Sequence, residues 1–182
     1  MSRLASSRTN QPAIIELREC LAAIRRLRFT ARPGPHSRTG WAGQGEAEVR
    51  IGDDEDGLRF HESGTFTPEA SGAPVAFRNV YRWQCHDDRI ALWHERFGRE
   101  AAVWLFDLVA IRADVFVAAD SHLCGADRYD ARLTLVDAGS DLCWTIAGPH
   151  KDETLTYRYR RRLDRSRSSQ PQRCKIDRTV IA

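Results

Sequence analysis

The sequence contains no apolar run near the length of about 20 residues that a membrane-spanning helix requires. The N-terminal segment also lacks the continuous apolar core of a secretory signal, with Glu16 and Arg18 lying where that core would be. These two absences predict a cytoplasmic protein without a membrane partner. The hydrophobic content of 42% is nevertheless ample for a folded core.

Motifs of the common catalytic and cofactor sites are also missing. The chain has no glycine-rich phosphate loop, no Gly-x-Ser-x-Gly elbow and no His-Glu-x-x-His pair. Its cysteines are odd in number and have no Cys-x-x-Cys spacing, which argues against a zinc ribbon or a disulfide framework: Cys20, Cys85, Cys124, Cys143 and Cys174. We therefore expect reduced, mostly buried thiols, no metal and no cofactor, with haem held by one histidine as the alternative.

Lysine is almost absent, and the basic charge is concentrated at one end. The chain has two lysines, Lys151 and Lys175, among 28 basic residues. Residues 163–182 hold five basic and two acidic side chains, which accounts for the whole net charge of +3. A neutral body argues against nucleic-acid binding. We predict a disordered leader over 1–10, one domain over 11–162 and a disordered basic tail over 163–182.

The hydrophobic pattern predicts a protein made mainly of β-strands. Apolar residues at helical spacing indicate one short helix over about 12–22. Period-two segments and turn signals then alternate about every ten residues, including a hairpin expected at Ser63-Gly64. Short connections favour an antiparallel, up-and-down order, and closing the sheet removes its edges. The prediction is an all-β barrel of about eight to ten strands, braced by the N-terminal helix.

Two elements in the second half resemble a bacterial family of small uncharacterised domains. These are His-x-Cys-x-x-Asp-x-Tyr at 122–129 and Trp-x-x-x-Gly-Pro-x-Lys-Asp at 144–152, followed by the final Tyr-Arg-Tyr-Arg-Arg strand. The resemblance covers about residues 14–162 and implies a lipocalin-type, calycin-like barrel with no known activity. His150 and Glu153 depart from the family pattern, which argues against an anion site at that loop.

Aromatic and polar residues on the predicted strands indicate a ligand inside the barrel. The chain has five tryptophans, each bulky and each with an N–H that needs a partner, although they could equally fill a core. We predict that the barrel binds a small apolar or aromatic molecule. The candidate ligand-binding residues are Trp83, Arg99, His122, Cys124, Tyr129, Trp144 and Lys151. Residues expected to shape turns are Asp127, Gly148, Pro149 and Asp152.

Two other functions remain open. The barrel could be an enzyme in which Tyr129, His122 or Asp127 transfers protons, or a structural domain that uses a barrel face or the basic tail. His122 and Cys124 are two residues apart, so on one strand they share a face roughly 6.5–7 Å apart. That separation argues against a nucleophilic pair, and no recognisable ligand spacing joins them to a metal site. Lys151 could bind an anion or form a structural ion pair.

Overall fold

The computed structural model describes the backbone of residues 4–162 and the side chains of residues 11–162. These described residues form one helix, a short 3-10 turn at Arg99–Ala101 and eleven strands. The helix, α1, spans Leu4–Ala22. The strands are β1 (Ile24–Pro33), β2 (Gly43–Asp54), β3 (Gly57–Pro68), β4 (Val75–Cys85), β5 (Ile90–His94), β6 (Val103–Arg112), β7 (Val115–Ala118), β8 (His122–Cys124), β9 (Asp127–Val136), β10 (Gly139–Ala147) and β11 (Asp152–Arg161).

Ten of these strands close into an antiparallel barrel, as the sequence predicts. The order is β10-β11-β1-β2-β3-β4-β5-β6-β7-β9, and β9 pairs with β10 to complete the ring. The short β8 pairs only with the start of β9 and lies outside the ring. Closure satisfies the backbone groups that open edges would expose. No helix in the described part of the chain is long and apolar enough to cross a membrane.

Helix α1 covers one end of the barrel and packs against β6 and β10. Its Leu17 and Leu21 are fully buried, and Arg18 pairs with Asp53 at the end of β2 at 2.9 Å. The helix begins at Leu4, upstream of the predicted start near residue 12. Residues 1–3 and the predicted tail at 163–182 lie outside the described residues.

Two local predictions are wrong, for different physical reasons. The hairpin expected at Ser63-Gly64 does not form, because β3 runs unbroken from Gly57 to Pro68. Gly64 instead lies where a side chain would overlap the backbone of β2. The alternating pattern of residues 114–124 predicts one strand, but a bend at residues 119–121 divides this segment into β7 and β8. The predicted turn at Gly125 is present, with φ of 64°.

Candidate functional site

The inward-facing side chains become more exposed from the helix end of the barrel to the opposite end. Trp83, Phe60 and Tyr159 are at most 1% exposed, whereas Tyr81, Trp144 and Tyr157 are 5–8% exposed. Nearer the open end, the inward side chains are only partly buried: Phe29, Phe66, Phe77, His94, Tyr129 and Ile146. We call these six residues the walls of a funnel, and Tyr81, Trp144 and Tyr157 its floor.

Stacked and edge-on rings connect the walls to the floor. Phe29 stacks on Phe66 and on Tyr157, with ring centroids 5.6 Å and 5.3 Å apart. Tyr157 stacks on Trp144 at 5.5 Å, and Trp144 meets Tyr81 edge-on at 6.0 Å. These distances are typical of favourable aromatic pairs. The funnel therefore has an almost entirely aromatic surface.

Two glycines on β2 leave room for these rings. A Cβ at Gly45 would overlap the ring of Phe29, and a Cβ at Gly43 would approach the ring of Phe66 too closely. These glycines account for the weak strand pattern of this segment. Because glycine has no side chain, the rings of Phe29 and Phe66 can lie close to the backbone of β2.

A carboxylic acid, Glu62, lies behind the funnel floor. It occupies an inward position of β3, is 1% exposed, and accepts a hydrogen bond from the Tyr159 hydroxyl at 2.7 Å. Asn79 lies opposite it on β4 and also interacts with the carboxyl. Burial raises the pKa of Glu62 from 4.5 to about 7, and the bonds from Tyr159 and Asn79 only partly oppose this rise.

Several polar atoms around the floor lack a hydrogen bond of standard geometry within the described residues. They are Oε2 of Glu62, Nε1 of Trp83, Nε1 of Trp144 and Nε2 of His94. His94 stacks on Tyr81 at 4.7 Å, and burial lowers its pKa below the usual 6.5. Native structures seldom leave such groups unsatisfied, because each costs about 1–3 kcal/mol. These atoms leave hydrogen-bond donors and acceptors around the floor that the described residues do not satisfy.

A cluster of predicted site residues lies at the rim of the funnel. Nζ of Lys151 is 2.6 Å from an Asp127 carboxylate oxygen and 3.3 Å from the Tyr129 hydroxyl. The Asp127 carboxylate, followed by the Tyr129 hydroxyl, raises the pKa of Lys151. His122 lies opposite Tyr129 on β8 and meets Trp104 edge-on at 5.3 Å. Lys151 thus forms an ion pair with Asp127, which is one of the two roles that the sequence left open for this lysine.

The segment between β1 and β2 also closes part of the rim. Glu153, at the start of β11, accepts hydrogen bonds from the Ser37 and Thr39 hydroxyls, while its Oε2 is buried without a partner among the described residues. The backbone N–H of Gly34 donates to the carbonyl of Asp152. These contacts attach the loop to the β10–β11 turn beside the funnel opening.

The predicted ligand-binding residues do not all come together. Trp144 reaches the floor and Tyr129 the wall, whereas Trp83 lies deeper in the filled core. Cys124 is exposed on β8. Arg99 lies on the outer face of the barrel, 3.0 Å from Asp54, and not beside Lys151.

Arg99 belongs to an outer ion network that the sequence analysis did not identify. Glu95 is buried and accepts from Nε of Arg59 at 2.9 Å and from Nε of Arg82 at 2.7 Å. Arg59 also pairs with Asp54. Hydrogen bonds from the two arginines lower the pKa of Glu95 against the opposing effect of burial. The network attaches the β5–β6 connection to β3 and β4.

The predicted turn residues are found around the last hairpin. The N–H of Gly148 donates to the carbonyl of Lys151 at 2.8 Å, so Gly148 and Pro149 lie in a tight turn. Asp127 touches this turn closely, because a Cβ at Gly148 would overlap its carboxylate. Asp127 therefore links two turns through Lys151.

A polar groove of about 460 Å³ lies on the outer faces of β11, β1, β2 and β3. Its lining includes Arg28, Thr30, Gln44, Thr65 and Arg158. These side chains face outward, but Phe29 and Gly45 also line the groove, so the groove borders the funnel wall at Phe29. It is not the interior ligand site that the sequence predicts.

The cysteines differ in state. Cys20, Cys85 and Cys124 are free thiols, and Cys20 and Cys85 have pKa values raised by burial. Cys143 is disulfide-bonded, so the prediction of reduced thiols is wrong at this position. Within the part of the chain that the structure describes, no three His, Cys, Asp or Glu side chains are grouped closely enough to hold a metal ion.

The fold defines a class: a closed, ten-stranded antiparallel barrel with an N-terminal helix at one end and partly buried, mainly aromatic inward side chains at the other. The chain belongs to a family of unknown function, DUF6314, whose model matches residues 28–161. No curated protein and no solved structure matches the chain. The predicted uncharacterised domain is thereby confirmed, while the lipocalin-type relationship stays a prediction.

Proposed function

We propose that this domain is a binding module that takes a small apolar or aromatic molecule into the funnel. The observation that carries the proposal is the coincidence of two features at the floor. The partly buried rings of the walls offer an apolar surface beside the floor, and Nε1 of Trp144 and Nε2 of His94 lack hydrogen-bond partners among the described residues. Binding sites commonly combine apolar walls with a few polar groups that orient the ligand.

In this proposal, the free energy of binding comes from apolar contact between the ligand and the walls of the funnel. Phe29, Phe66 and Phe77 form one aromatic cluster, and Tyr129 and Ile146 lie across the opening. Burial of apolar surface contributes about 25 cal/mol for each Å² removed from water. A single aromatic ring inserted between these walls would therefore gain a few kcal/mol before any polar contact forms.

The rim geometry favours binding over proton transfer. Asp127, one of the candidate proton-transfer groups, is held in an ion pair by Lys151 at 2.6 Å. His122 is packed between Trp104 and Tyr129. These contacts suit a rim that shapes the entrance.

Fluorescence titration with the neutral probe N-phenyl-1-naphthylamine tests the proposal. Ile146→Trp should narrow the funnel above Trp144 and weaken binding at least tenfold. Leu123→Trp is the matched control, because Leu123 is 70% exposed outside the funnel. Saturable one-to-one binding that Ile146→Trp alone weakens is the expected result. No saturable binding, or equal binding by both variants, would overturn the proposal.

A further inference from the structure

We propose that the ligand of the funnel carries a cationic amine, which pairs with the Glu62 carboxylate behind the floor. This inference rests on the proposed binding function and names the chemical class of the ligand. It starts from the placement of an acidic side chain among the apolar and aromatic side chains of the core. Glu62 is the charged group that the inward face of β3 brings into the barrel.

Neighbouring side chains donate hydrogen bonds to the Glu62 carboxyl, but no cation among the described residues lies beside it. Tyr159 donates to Oε1, whereas Oε2 lacks a hydrogen bond of standard geometry, and within the described residues no arginine or lysine pairs with the carboxyl. Buried carboxylates are normally paired, because an isolated buried charge is costly. An ammonium group provides both the missing charge and the missing hydrogen-bond donors.

The surrounding rings suit the same cation. Tyr157 and Tyr159 lie beside each other, with centroids 6.1 Å apart, and Phe60 and Trp83 both meet Tyr159 edge-on. Ring faces attract ammonium groups through their quadrupoles, and the attraction grows when water is excluded. An anion would meet the Glu62 charge without a compensating cation, so the arrangement selects against it.

The neighbouring titratable groups predict a pH profile for amine binding. Tyr81, Tyr157 and Tyr159 have pKa values raised by burial, so they stay neutral, and Asn79 carries no charge. His94, stacked on Tyr81, would oppose an amine only when protonated. Since Glu62 must lose its proton to pair with the amine, affinity should rise about tenfold per pH unit up to about pH 7 and then level off.

The experiment is displacement of N-phenyl-1-naphthylamine by three probes: 2-phenylethylamine, the neutral 2-phenylethanol and the anionic phenylacetate. The wild-type chain should bind the amine at least tenfold more tightly than the alcohol, and phenylacetate least. Glu62→Gln should remove the preference for the amine and its pH profile without changing the affinity for the alcohol. Glu48→Gln, on the exposed face of β2, should keep both, because the proposal assigns them to Glu62.

The outcomes separate this inference from the proposed function. Binding of the alcohol with no preference for the amine, or a preference that Glu62→Gln leaves intact, would overturn the inference while the binding function stands. Failure of the naphthylamine and all three probes to bind would overturn both. Circular dichroism and alcohol binding show whether Glu62→Gln is folded. If the folded variant loses only the preference for the amine, that loss is due to the missing carboxylate.

Discussion

The buried Glu62 carboxyl predicts a pH dependence of stability that one substitution can isolate. Burial raises its folded pKa from 4.5 to about 7. Because the folded state holds the proton more tightly, the stabilising contribution is fully present below pH 4.5 and is lost as the pH rises through about 7. The pKa difference corresponds to about 3 kcal/mol in total, of which about 2.5 kcal/mol falls between about pH 5 and pH 8.

Urea unfolding of the wild-type chain and Glu62→Gln across that pH range measures the effect. Glutamine keeps the shape and stays neutral, so the wild-type advantage over the variant should shrink by about 2–3 kcal/mol between about pH 5 and pH 8. The titration of other groups contributes equally to both chains and cancels in the difference between their free energies of unfolding. Glu48→Gln, on the exposed face of β2, is the control for removal of a surface carboxylate. Parallel stability profiles for wild type and Glu62→Gln would refute the reasoning.

Two further predictions concern packing and charge. Gly45→Ala should destabilise the fold by about 1–3 kcal/mol, because its methyl group overlaps the Phe29 ring, whereas Gly52→Ala on the same strand meets only ordinary contacts and should change thermal stability by less than about 0.5 kcal/mol. Equal losses would contradict the packing argument. Glu95→Ala should cost about 3–5 kcal/mol in urea unfolding, since it leaves two buried arginines without their shared carboxylate, whereas Asp114→Ala removes an exposed pair worth less than about 1 kcal/mol. A small loss for Glu95→Ala would show that the network does not hold the loop.

The barrel could be predicted from the sequence because period-two alternation and turn chemistry are local signals. Tyr81, Trp83 and Cys85 share one face of β4, as their spacing requires. The failures occurred where local signals conflict with distant contacts. The Ser63-Gly64 pair predicts a turn, yet Gly64 lies in the middle of β3. Glycine occupies this position because the neighbouring strand, β2, leaves no room for a side chain.

The same error concealed Glu62. An unbroken period-two reading of β3 places Leu58, Phe60 and Glu62 on the inward face, so an acidic residue at an inward position was the available signal. The bond from Tyr159 could not be predicted, because 97 residues separate the two and only barrel closure brings them together. Trp41 illustrates the opposite case: it was grouped with the interior tryptophans, but it is 63% exposed.

The most direct test of the binding function is native mass spectrometry of the full chain purified from its own cells. The account predicts a population with one small molecule bound, released on activation and carrying a basic nitrogen, and the bound population should be depleted in Ile146→Trp but not in Leu123→Trp. A bare mass for the wild-type chain, together with no saturable binding of the naphthylamine probe, would contradict it.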